Sequence, residues 1–153
     1  MNLSTDPERP QVALSIRQPW AELIVSGRKT IEVRTWTTDY RGAVFIHASK
    51  SVAEEFVPLF PDVIPTYLGG LIGIVNVVSV ESFSQATWSR LRPGHLVPGP
   101  MPKGAFGWKL EKAKRLVHPL PVRGQLGLFP LSEQVLSQVQ LKGGFKGEAQ
   151  QRD

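Results

Sequence analysis

Lysine, glutamate and arginine stand within six residues of one another in Gly27-Arg28-Lys29-Thr30-Ile31-Glu32-Val33-Arg34. Two cations around a carboxylate can hold a phosphate or a carbonyl while the carboxylate accepts from an amine, and a Lys/Glu pair is also an acid–base couple. If the segment is a strand, Glu32 and Arg34 leave the same face, about 6.5 to 7 Å apart. Lys29 then stands at the strand entrance. On an open surface such a pattern is an ordinary ion pair worth ~0 to 1 kcal/mol. On a covered face unpaired charge is costly, so the same residues must pair with each other or await a polar ligand.

The flanking elements decide between these cases. Upstream, Val12, Leu14 and Ile16 alternate with Ala13, Ser15 and Arg17, the two-residue period of a half-buried strand. Pro19 then opens a helix of about two turns on which Trp20, Leu23 and Ile24 share a face, and Gly27 supplies a left-handed stop. In the strand that follows, Thr30, Glu32, Arg34 and Trp36 lie on one side and Ile31, Val33 and Thr35 on the other. If the helix covers the charged face with Trp20, the charges line a partly buried cleft that Gln18 before the helix and Lys29 after it bracket. An aromatic side chain there would contribute ~1 to 3 kcal/mol by stacking on a base.

Further along, Ala43 to Ala48 reads as an apolar strand containing His47, and Lys50 just beyond it can reach back to the same end of the fold. A histidine inside such a strand reads first as a core residue. Ser51 is predicted to cap a helix from Val52 to about Leu59. Gly69 to Phe83 is the longest strand signal, with Gly73 as its bend, and Ser84 to Gly104 reads as a proline- and glycine-rich loop, long enough to be functional or mobile. Ala105 to Val117 is a further strand and Ser132 to Leu141 a terminal helix or strand. Five or six strands with two short helices and no regular alternation define an α+β class, a small mixed β-barrel with short helices packed at its side. One domain over residues 11–141 is expected, with flexible ends at 1–10 and 143–153.

Composition narrows the chemistry. The 153 residues include no cysteine and three histidines far apart, so no thiolate or spaced metal site is announced, and neither a metal nor a cofactor is expected. Without an 18-residue apolar run or a secretory leader, a soluble cytoplasmic protein with no membrane partner is expected. Phosphate-cradling loops, dinucleotide fingerprints and serine nucleophile elbows are also missing. The net charge of +5 is regional: residues 1–81 hold seven basic and nine acidic residues, whereas 82–125 hold eight basic residues against Glu111 alone. A local basic field favours phosphate-bearing partners, and nucleic acid leads that list.

The segments Leu14-Ser15-Ile16-Arg17-Gln18-Pro19-Trp20-Ala21 and Gly27 to Arg34, taken together, resemble the ASCH (ASC-1 homology) domain family. Ile46-His47-Ala48-Ser49-Lys50, the apolar strand Gly70 to Ser79, and Phe106-Gly107-Trp108 running on to Pro119-Leu120-Pro121-Val122 extend the resemblance over most of the chain. It implies a β-barrel of the PUA-like superfamily with a cleft between the barrel and the first helix. That cleft is lined by the Gly-x-Lys-x-x-Glu-x-Arg residues, here Gly27, Lys29, Glu32 and Arg34, and is associated with RNA or other nucleic acid.

The expected function is binding of RNA or single-stranded nucleic acid through Gln18, Trp20, Gly27, Lys29, Glu32, Arg34, His47 and Lys50. The alternative is a small hydrolase acting on RNA or on a modified nucleoside. One branch of the family cleaves the acetyl amide of N4-acetylcytidine with a lysine and a threonine in a Gly-x-Lys-Thr-x-Thr-x-Arg version of the motif. Here Lys29 is kept, but Glu32 stands where that threonine would be. Lys29 and Glu32 would be the catalytic pair, with the carboxylate serving as a base for water rather than forming the same ester.

Overall fold

The structure, a computed structural model, describes residues 10–63 and 67–140. Of the ends expected to be flexible, only Pro10 falls among these residues, and it is buried. Six strands form one sheet: β1 (Val12–Gln18), β2 (Ile31–Arg34), β3 (Gly42–Val52), β4 (Gly70–Ser82), β5 (Phe106–Pro121) and β6 (Leu128–Pro130). Their order is β2-β5-β4-β3-β1-β6, with β1 parallel to β3 and every other pairing antiparallel. The sheet curls so far that β1 and β2 face one another without joining by a ladder; the Arg34 guanidinium of β2 donates to the Ser15 carbonyl of β1 at 3.4 Å. This is the expected α+β barrel, left open along one seam.

Helix α1 (Trp20–Val25) fills the concave side. Trp20, Ala21, Leu23, Ile24 and Val25 are all buried, so the helix is apolar nearly all round, as an enclosed helix must be. The single-face pattern of Trp20, Leu23 and Ile24 therefore understates its burial. Its one polar side chain, Glu22, reaches out to accept two hydrogen bonds from Arg115 of β5, at 2.9 and 2.5 Å. Gly27 ends the turn with φ +87°, a left-handed conformation that glycine adopts without penalty. The chain can then reverse into β2.

Two apolar clusters sandwich the sheet. The inner one joins α1 to Leu14, Ile16, Val44, Ile46, Val75 and Trp108. The outer one gathers Phe45, Leu71, Leu116 and Phe129 under helix α4 (Glu133–Leu136), whose Ser132 side chain accepts from the Val135 N–H. The residue pairs Val44/Phe45 and Ile74/Val75 divide between the clusters because successive strand side chains point to opposite faces.

Three local expectations are corrected. Ser51 does not cap a helix: β3 runs on to Val52, and the segment after it is a 3-10 turn over Glu54–Leu59, without a side-chain cap and with Pro58 inside it. Proline supplies no N–H for an i to i−4 bond, which disfavours a full α-helix there. The proline- and glycine-rich stretch after Phe83 is not an open loop. It folds into α2 (Gln85–Arg90) and α3 (Arg92–His95), opened by a reciprocal Ser84/Thr87 cap and anchored by the buried Trp88. The longest strand is β5 rather than β4, although Gly73 does mark an irregularity, since the register of β4 against β5 shifts between Leu71 and Gly73. Among the described residues no helix is long and apolar enough to cross a membrane.

Candidate functional site

Where the seam between β1 and β2 stays open, a cavity of about 260 Å3 is lined by Ser15, Arg17, Trp20, Lys29, Glu32 and Arg34, among others. Strand β2 brings Glu32 and Arg34 to it on one face, as two-residue periodicity requires, and that face points inward. Glu32 is 5% exposed and Lys29 only 2%. The carboxylate bridges two cations: Oε2 accepts from Arg34 Nη1 at 2.9 Å, and Oε1 lies 3.8 Å from Lys29 Nζ. This is the covered case, not a surface ion pair.

Lys29 is held from three sides. Its ammonium donates to the His95 carbonyl at 2.5 Å, faces Glu32, and sits 4.6 Å from the centroid of the Trp20 ring. An ammonium has three N–H donors, and a separation of 3.8 Å is too long for a hydrogen bond. Among the described residues the His95 carbonyl is its one hydrogen-bond partner. Burial lowers the Lys29 pKa from 10.5 to about 8, and the Glu32 charge resists that fall. At neutral pH the group is still mostly protonated, so with Arg34 and Arg17 the cleft's lining carries three positive charges against one negative.

The His95 carbonyl is positioned by the segment that looked like a loop. His95 is fully buried, stacked on Trp88 with ring centroids 4.0 Å apart. Its Nε2 donates to the Trp88 carbonyl at 2.8 Å and its Nδ1 accepts from the Val97 N–H at 3.0 Å. Those partners assign one tautomer of the neutral ring. Burial pushes its pKa down, the bond to the Trp88 carbonyl opposes this, and the nearby Lys29 and Arg92 charges push further down. Val97, two residues on, lines the cleft itself. His95 and Val97 escaped sequence reasoning, as did Ser15 and Arg17; the usable signal was Trp88, a large apolar residue that an open loop has no means of burying.

The expected site residues separate into three groups. Trp20, Lys29, Glu32 and Arg34 come together in the cleft. Trp20 is 8% exposed and packed against Phe56 and Phe60, so it walls the cavity and is not a free stacking platform. Gln18 and Gly27 lie outside the lining. Gln18 is buried, with Oε1 accepting from the Glu22 N–H at 2.9 Å and Nε2 donating to the Tyr67 carbonyl at 3.3 Å; it seats α1. His47 and Lys50 border a different cavity, which meets the cleft at Ser15. Among the described residues no three histidine, aspartate or glutamate side chains gather as a metal site would need.

The open six-stranded barrel with short helices is of the PUA-like type. The chain belongs to the ASCH domain family, whose model matches residues 14–121. It is 27% identical over 137 residues to human Activating signal cointegrator 1, covering 80% of this chain and 22% of that protein. A shorter match to the mouse Activating signal cointegrator 1 is 50% identical over 36 residues, 24% of this chain and 6% of that protein. The chain therefore spans about a fifth or less of the length of these curated relatives. Crystal structures of the ASCH protein from Zymomonas mobilis share the fold. Its unmutated form has a TM-score of 0.62 at 16% identity, covering 88% of this chain and 97% of that one. A serine-to-alanine mutant of the same protein has a TM-score of 0.61 at 17% identity, covering 86% and 95%.

Proposed function

We propose that the domain spanning residues 11–141 binds single-stranded nucleic acid, RNA foremost, by admitting one base to the seam cleft. One observation carries the reading: a cavity of about 260 Å3 is lined by three cations, Arg17, Lys29 and Arg34, and one carboxylate, and its lysine keeps donor capacity to spare. That volume lies just below the ~300 to 1,000 Å3 of drug-sized ligand pockets and suits a single planar heterocycle. Lys29 and Arg34 contact a phosphate or a base carbonyl, Glu32 accepts from an exocyclic amine, and the edge of Trp20 limits the depth. Membership of the ASCH family and the positive excess of residues 82–125 support the choice of partner.

The test is anisotropy with a labelled single-stranded RNA octamer of mixed sequence at low salt. Lys29→Met and Arg34→Met, which keep bulk in the cleft, should each weaken binding at least tenfold, and affinity should fall steeply with salt. Affinities unchanged by both substitutions would refute the assignment.

A second reading is favoured by the depressed pKa of Lys29, about 8, which approaches the working range of a proton-transfer group. On that reading the domain hydrolyses RNA or a modified nucleoside such as N4-acetylcytidine, with Lys29 and Glu32 as the acid–base pair. Product formed by the wild-type protein and lost in Glu32→Gln would establish it.

A further inference from the structure

Ser15 stands on the wall between the seam cleft and a second, larger groove of about 840 Å3, bordered by His47, Lys50, Pro121, Val122, Arg123 and Leu126, among others. The wall itself is cross-linked by hydrogen bonds. His47 Nε2 donates to the Val122 carbonyl at 2.6 Å, which leaves Nδ1 to accept from the Ser15 hydroxyl at 3.0 Å. Ser15 and His47 are register partners on the parallel strands β1 and β3, so the pair is tied into the sheet. Gly124 closes over it: a Cβ there would stand 2.8 Å from His47 Cε1 and 3.2 Å from Ser15 Oγ. Only glycine lets the backbone pass this close.

The rim has a different character. Leu126 is 98% exposed. Lys50 and Arg123 are exposed too, and among the described residues neither makes an ion pair or a side-chain hydrogen bond. An apolar wall with free cations at its margin is complementary to a ligand that has a flat apolar face and a negative charge in each unit. Nucleotides have both.

We propose that this groove is a second nucleotide subsite for single-stranded nucleic acid. The strand whose base enters the cleft crosses Ser15, lays the adjoining base against Leu126, Pro121 and Val122, and sets its phosphates on Lys50 and Arg123. The proposal rests on the binding reading above and adds to it a direction for the chain and a minimum length. It also gives His47 a place: the imidazole supports the floor between the subsites and touches no ligand.

The experiment compares a mixed-sequence single-stranded RNA octamer with mixed nucleoside monophosphates, using wild type, Lys50→Ala/Arg123→Ala and Leu126→Ser. All three positions are exposed, so the variants should fold. Octamer affinity should fall about tenfold in the double variant, and its salt slope should shrink by about 1.4, the value for two lost single-strand phosphate contacts. Leu126→Ser should weaken octamer binding about threefold. Monophosphate binding should not change in either. Octamer affinity and salt slope equal to wild type in both variants would overturn the subsite; if Lys29→Met still abolished binding, the cleft assignment would stand alone. Groove variants that weaken binding while Lys29→Met and Arg34→Met do not would refute the cleft assignment instead. Displacement of the octamer by polyglutamate at equal charge concentration would assign the groove to acidic protein segments and overturn the subsite, and a wild-type protein that binds no octamer at low salt would remove both.

Discussion

The cleft and the groove lie on either side of Ser15, and they treat charge in opposite ways. The cleft buries Lys29 and Glu32 and spends Arg34, Trp20 and the His95 carbonyl on holding them. In the groove, by contrast, Lys50 and Arg123 stay in solvent while apolar atoms form much of the wall. Buried charges are costly to keep and strongly coupled to the fold; exposed ones cost almost nothing and act through long-range attraction. The comparison teaches that a preorganised pocket for one chemical group and an adaptable surface for a chain can share a single wall. Substitutions should therefore separate stability from affinity in one region and not in the other.

The largest effect is expected from Glu32→Ala. It leaves Lys29 buried without a counter-charge and frees Arg34, and should cost about 3 to 5 kcal/mol. Lys50→Ala or Arg123→Ala should stay within about 0.5 kcal/mol. Urea denaturation of the three variants measures the contrast directly. A loss below about 1 kcal/mol for Glu32→Ala would erase the distinction between the two regions.

Next in size is the pH response of Lys29. Its pKa is about 8 in the folded protein against 10.5 when free, so between those values the unfolded chain binds the proton and the folded one does not. More protons on the unfolded state means that stability rises with pH across that window. The gap in folding free energy between wild type and Lys29→Met should therefore shift in favour of wild type from about pH 8 to pH 10.5, by an amount of order 3 kcal/mol. A gap that stays flat across the window would show that the ammonium is not desolvated.

The smallest of the three effects is expected from His95→Ala, which acts on the cleft from behind. Losing the bonds to the Trp88 carbonyl and the Val97 N–H should cost about 2 kcal/mol. It should also release the carbonyl that positions Lys29, so RNA affinity should drop several-fold while the groove variants keep their own separate effect. Thermal unfolding and anisotropy on the same preparation check both parts. Additive losses for His95→Ala and Leu126→Ser would support independent regions, and strong coupling between them would merge the two.

What could be read ahead of the structure follows from the range of the forces involved. Strand alternation is a local consequence of backbone geometry, so the shared face of Glu32 and Arg34 and the stop at Gly27 were legible from a few adjacent residues. How fully that face is buried was not, because it depends on the α2–α3 segment as well as on α1, and the His95 carbonyl that holds Lys29 lies 66 residues away in sequence. The stretch from Ser84 to Gly104 misled for a related reason. Its prolines and glycines are local breakers, but Trp88 and His95 stacking on each other supplies a small core that no local rule scores. Gln18, His47 and Lys50 sat at plausible spacings for one site, yet the open seam sends Gln18 into the support of α1 and the other two to a neighbouring groove.

By itself, then, the order of residues determined the α+β class, the strand carrying Glu32 and Arg34, the helix carrying Trp20, and the chemical character of the site, because each follows from periodicity, turn chemistry and side-chain type within a short span. Tertiary structure alone decided that β1 and β2 stop short of pairing, that a carbonyl 66 residues from Lys29 receives its proton donor, and that Ser15 divides two cavities. Those outcomes depend on how the sheet curls and which loops pack against it, and the free energy that sets them comes from contacts between residues that are distant along the chain.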